Sequence, residues 1–173
     1  MPLVQTRGAA SAQGFGEFAQ ATAVNYIEDV FSTYLYTGNS PSTNTIVNGI
    51  DLSTKGGLVW CKGRPNAGYS HRLFDTARGV NNSIATDSTA AQFTQTNSVT
   101  AFNTTGFSLG SDGNGEVNFS GSTYVGWTFR KQAKFFDIVT YTGTGANRTI
   151  AHNLGSVPGS IIIKRTDATA AWA

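Results

Sequence analysis

Apolar and polar residues alternate along most of this chain in short runs, and Gly, Asn, Ser and Pro punctuate them. Between turns the period is two. Tyr124, Gly126, Thr128 and Arg130 fall on one side of an extended segment, and Val125, Trp127 and Phe129 on the other. Phe107-Ser108-Leu109 alternates in the same way. Leu58-Val59-Trp60-Cys61 is a continuous apolar run, as expected where both faces of a strand are covered. Asn48-Gly49, residues 63–68 and residues 111–115 carry turn chemistry. The predicted strands are 30–37, 43–47, 57–62, 71–75, 100–103, 107–109, 117–119 and 123–130, with one helical turn before residue 30. Turns at intervals of about 8–12 residues, without a sustained helical period, predict an all-β fold: a β-sandwich or barrel.

The pattern also echoes itself. Tyr36-Thr37-Gly38 leads through Thr45-Ile46 and a Gly-bearing turn into Gly57-Leu58-Val59-Trp60-Cys61-Lys62. About 105 positions later, Tyr141-Thr142-Gly143 leads through Thr149-Ile150 and another such turn into Gly159-Ser160-Ile161-Ile162-Ile163-Lys164. The expected organisation has three parts. Residues 1–25 are an N-terminal arm or docking segment that Phe15 and Phe18 would anchor. Residues 26–131 form the sandwich. Residues 132–173 are a hinge and the first strands of a second repeat, in a chain read as part of a longer tandem protein. So short a second unit cannot enclose its own core.

Composition narrows the function classes. Only 13% of residues are charged, against about 25% in ordinary globular chains, and Phe, Tyr and Trp are plentiful enough for a packed core. The net charge is +2, and Arg130-Lys131-Gln132-Ala133-Lys134 is too sparse a basic cluster for a nucleic-acid partner. A single cysteine, Cys61, excludes an internal disulfide framework and sits in an apolar run, where an inert thiol is expected. No stretch reaches the roughly 20 apolar residues of a spanning helix, and residues 1–20 lack a signal peptide's apolar core. The expectation is a soluble protein made in a cytoplasm, with no membrane insertion.

Candidate chemistry is thin. His71, Arg72 and Asp75 lie close together, but acid–base work needs a second partner from elsewhere, and the other histidine, His152, lies in the second repeat. Asp112, Asn114 and Glu116 alternate in a Gly-rich turn and resemble part of a calcium loop, without its remaining acidic ligands. A hairpin turn accounts for the same residues. Trp60, Tyr69, Tyr124 and Trp127 are candidates for a sugar-stacking platform, with Tyr69, Asp75, Trp127 and Asp112 near the site; rings on strands also serve as core. Nucleophile elbows, phosphate-cradling loops and His-Glu-x-x-His or Cys-x-x-Cys motifs do not occur in the sequence. No catalytic residue, cofactor or enzymatic activity is therefore expected.

Several stretches occur together in order: Gly57-Leu58-Val59-Trp60, His71-Arg72-Leu73-Phe74-Asp75, residues 124–130, residues 134–143, residues 150–159 and residues 161–165. As a set, over roughly residues 26–173, they resemble repeated domains in tail-fibre and other virion proteins of tailed bacteriophages, especially marine and cyanobacterial ones. The resemblance implies a lectin-like sandwich of laminin-G or jelly-roll type, a virion location and a homotrimer if the protein is a fibre. Its partners would be other tail proteins (tail tube, adaptor or baseplate), with a host receptor met further out. It brings no catalytic residues. The expected function is that of a non-enzymatic structural protein, the particle-proximal part of a tail fibre. A glycan-binding module and a capsid decoration or head-fibre protein are the alternatives.

Overall fold

The computed structural model describes residues 26–65, 68–112 and 115–173. A single helical turn, α1 (Ile27–Val30), leads directly into β1 (Phe31–Thr37), followed by β2 (Asn44–Val47), β3 (Gly57–Gly63), β4 (Arg72–Asp75), β5 (Asn82–Ala85), β6 (Phe93–Thr94), β7 (Val99–Asn103), β8 (Gly106–Leu109) and β9 (Thr123–Arg130). The strands form two sheets, of order β1-β9-β3-β4-β5-β6 and β2-β8-β7, and every pairing is antiparallel. The fold is all-β and sandwich-like, as the alternation predicts.

β9 organises the larger sheet. It lies between β1 and β3, with Tyr36, Gly126 and Cys61 all on its inward side through the pairs Tyr36↔Tyr124 and Cys61↔Gly126. Period two sends Tyr124, Gly126 and Thr128 inward with Val59, Cys61 and Phe74. There they meet Ile46, Val99, Phe107 and Leu109 of the smaller sheet, and Ile50, Leu52 and Val117 from loops. Burying each large side chain contributes roughly 1.5–3 kcal/mol. β3 approaches β9 closely at Gly57, where a Cβ would collide with the Phe129 carbonyl and the Leu52 side chain. The Asn48-Gly49 turn places Gly49 at φ +83°, a conformation that glycine adopts without a steric penalty.

Two tyrosines cross this core with their polar ends satisfied. Tyr36 and Tyr124 stack with centroids 5.2 Å apart. The Tyr36 hydroxyl donates to the Val117 carbonyl at 2.9 Å, and that of Tyr124 to the Gly115 carbonyl at 2.6 Å. Burial pushes the Cys61 thiol up to about 12, so it stays protonated and unreactive at neutral pH.

Three stretches differ from the sequence reading. Residues 117–119 form no strand, because the Asp112 carboxylate takes the Val117 and Asn118 amides at 2.6 and 3.0 Å. β5 and β6 extend the sheet beyond β4 through Arg72↔Ala85 and Ser83↔Phe93, although Asn-Ser-Ile-Ala and a two-residue run carry little strand signal. The third is residues 137–163, which contain no strand. Residues 159–164 meet only a short backbone partner, an isolated bridge of Lys164 to Trp172 with Ile163 bonded to Ala173, which is too little for a strand, and Ile161, Ile162 and Ile163 stand exposed. This segment is nevertheless tied to the sandwich. Gln132 bridges to Phe136, Lys131 pairs with Asp137 at 2.8 Å, and the Gln92 amide donates to the Thr166 carbonyl at 2.9 Å.

Candidate functional site

Alternation along β9 turns Trp127 away from the core, and the antiparallel register sets Trp60 of β3 directly opposite it. His71 immediately precedes β4 and completes a three-ring cluster on this outer face. Trp60 meets Trp127 edge-on at 5.6 Å and His71 edge-on at 5.7 Å. His71 and Trp127 are nearly parallel, with an interplanar angle of 7° and centroids 6.5 Å apart. All three rings are half-buried.

One hydrogen bond fixes the cluster's polarity. The Trp60 indole N–H donates to His71 Nδ1 at 2.9 Å, so the neutral imidazole carries its proton on Nε2. Burial lowers the His71 pKa, the Lys62 charge lowers it further, and exposed Asp87 opposes them. The net direction is down, which keeps the ring neutral at pH 7. The patch thus combines flat apolar rings, an imidazole, an ammonium and a carboxylate. It can stack on the apolar face of a ring-shaped ligand and hydrogen-bond to its edge.

The sugar-site residues expected from sequence do not converge. Trp127 belongs to the patch. Tyr69 lies on the inward side of the same sheet, where a side chain at Gly63 would meet the rings of Tyr69 and Tyr124. Asp75 is on the outer side, opposite Leu58, but its carboxylate is committed. It accepts from the Ala77 and Arg78 amides at 3.0 and 2.9 Å and from Arg78 Nε at 2.5 Å. Tyr124 is core.

The calcium-loop residues are drawn into a buried polar network instead. Glu116 pairs with Arg72 and accepts from Gln95 Nε2 at 2.7 Å. Asp112 takes two backbone amides and a longer contact, 3.4 Å, from the same Gln95 group. Arg72 lies over the Phe93 ring, 4.7 Å from its centroid. Asn114 falls outside the described residues, as do the arm residues Phe15 and Phe18. No group of three or more metal-ligating His, Cys, Asp or Glu side chains occurs among the described residues.

His71 and Asp75, weighed as an acid–base pair, have separate partners: Trp60 for the histidine, Arg78 for the aspartate. His152 is exposed, and its Nδ1 accepts the Leu154 amide at 3.2 Å. Sequence reasoning missed His71 as a ring of the platform. The β3–β4 register that brings it to Trp60 is set across a loop of irregular length, and no local pattern encodes that. It also missed the Lys131–Asp137 tie at the junction.

Residues 27–173 match the model of one family, described as Domain of unknown function (DUF7483). That single match covers both the sandwich and the segment after it. Neither the curated proteins nor the solved structures contain a match to the chain.

Proposed function

The chain belongs to this DUF7483 family, and from that premise we propose that it is a non-enzymatic structural protein of a phage virion: the particle-proximal part of a tail fibre, which attaches the fibre and supports distal host-recognition domains. The internal echo carries this reading. A sandwich is followed at once by a second set of the residues that open it, as in a rod assembled from repeated β units. The low charge and the Thr- and Asn-rich strands suit closely packed β surfaces along such a rod. The resemblance to tail-fibre repeats points the same way, with other tail proteins as partners and a homotrimer as the expected assembly. The test is to locate the chain in intact particles with an antibody against residues 26–131 and to count copies. Label at the tail supports the reading. A copy number that follows the capsid lattice would replace it with a head-decoration role.

One observation favours a second reading, in which the sandwich contacts glycans. The Trp60–His71–Trp127 face is half-open and edged by Lys62 and Asp87. A glycan array probed with the native chain and with Trp127→Ala decides it. Binding lost in the variant supports the platform, and an array silent for both rejects it.

A further inference from the structure

The two sheets end in the edge strands β1, β6, β2 and β7, and all but β1 are guarded against further pairing. β6 is two residues long, β2 is four, and β7 carries a register shift between Val99 and Ala101. Short strands and bulges are common devices that keep an edge from taking another strand. β1 has neither. It pairs with β9 over seven residues without a break, and Phe-Ser-Thr-Tyr-Leu-Tyr-Thr holds no charge and no proline. Tyr34 is 38% exposed and Leu35 58%.

Parity places the open backbone groups of β1. In an antiparallel ladder, hydrogen-bonded and non-hydrogen-bonded residue pairs alternate. The Gly38 amide donates to the Ser122 carbonyl at 2.8 Å, one step beyond the β1–β9 register. Tyr36, Tyr34 and Ser32 therefore turn their backbone groups toward β9, and Phe31, Thr33, Leu35 and Thr37 turn theirs to the free edge. The Phe31 N–H is spent on the Ile27 carbonyl, and the Thr37 carbonyl accepts from the Asn44 side chain at 3.0 Å. Thr33 and Leu35 lie between them. Among the described residues, nothing bonds to their N–H and C=O groups.

We propose that β1 is an interface to a second copy of this chain, paired antiparallel about a two-fold axis at Tyr34. The edge is self-complementary. Thr33 faces Leu35 of the other copy and exchanges both backbone bonds with it, Leu35 does the same with Thr33, and the two Tyr34 residues meet at the axis. An isologous contact requires such a match. An edge without charge also has nothing that would select a foreign partner of opposite sign. Pairing satisfies the open groups, merges two six-stranded sheets into one and takes Leu35 out of water beside Thr33, the β1 neighbour of Trp127. The pair does not rest on the fibre reading, whose trimer is a different assembly.

Analytical ultracentrifugation of the full chain over a range of concentrations should show a monomer–dimer equilibrium, because one added strand pairing is smaller than a permanent interface. Amide exchange at Thr33 and Leu35 should slow as the dimer fills. Two variants at these exposed positions read the register. Thr33→Lys/Leu35→Lys sets like charges opposite each other and should weaken dimerisation about tenfold. Thr33→Glu/Leu35→Lys sets opposite charges there and should recover most of it. A slipped register, with Thr33 facing Thr33 or Leu35 facing Leu35, would bring like charges together in both variants. The pair is overturned by a monomer at every concentration, by equal dimerisation of all three proteins, or by no recovery in the Glu/Lys variant. It is also overturned if the two amides are already protected in the dilute monomer, which would show that another part of this chain covers the edge. The two readings fail separately. A fibre or a trimer in which the Thr33 and Leu35 amides exchange freely rejects only the pair, and a dimer of a chain absent from tails rejects only the fibre.

Discussion

Asp75 and Arg78 illustrate how a residue's role is settled by its surroundings. Their side chains are 5% and 8% exposed, and the guanidinium also reaches the Gln92 side chain at 3.1 Å and the Leu73 carbonyl at 3.2 Å. A planar fork with several donors suits such a site better than an ammonium does. Arg78→Ala would leave the Asp75 charge buried beside two backbone amides, so we expect a loss of about 3 kcal/mol, read as a lower urea midpoint at unchanged slope. Arg78→Lys should recover only part of it. A loss below about 0.5 kcal/mol, the range of ordinary surface substitutions, would show that the pair is not needed. The sequence offers Asp75 as a candidate sugar ligand and as part of an acid–base set. Nothing local announces that Arg78 folds back on it. The same holds for Glu116, whose partners Arg72 and Gln95 come from distant segments.

At the scale of elements, legibility followed the strength of the period. β3 and β9 carry long apolar or alternating runs; the alternation assigned the two faces of β9 as the structure has them, whereas β3, expected to be covered on both faces, leaves Trp60 half-buried on its outer face. β5 and β6 are held by pairing to β4 and to each other rather than by their own propensity, so they had no signal to read. The junction after β9 depends on electrostatics. Burial acts to raise the Asp137 pKa, but Lys131 and the amides of Asn153 and Ile138 outweigh it, and the net shift is downward from 3.8. A carboxylate with a lowered folded pKa stabilises above its ordinary pKa and loses that contribution as pH falls through the lower, folded value. The tie of residues 136–138 and 153 to Lys131 should therefore be complete at pH 7. It should weaken below about pH 4, before the core strands respond. Amide exchange at Ile138 and Asn153, followed from pH 6 to pH 3, checks this: faster opening at those two amides is expected, and Asp137→Asn should abolish the pH dependence. Opening that is independent of pH would assign the junction to packing of Phe136 on Phe129, whose centroids are 5.3 Å apart.

At the scale of the molecule, packing divides unevenly. Residues 30–130 enclose the core, whereas residues 139–149 are exposed throughout. Segments with few buried contacts open most readily. Trypsin under native conditions should therefore cut after Arg148 before it cuts at Arg72, Arg78 or Arg130. Early products that begin or end inside the sandwich would show instead that the two parts open together. By itself the sequence determined the fold class, the faces of β9 and the internal echo, because these are periodic properties of neighbouring residues that follow from backbone geometry. Only the tertiary structure decided which rings share a face, which carboxylates are spent on internal partners, and that, among the described residues, 137–163 contain no strand. Those facts depend on register across loops and on contacts between residues far apart in the chain, which no local period records.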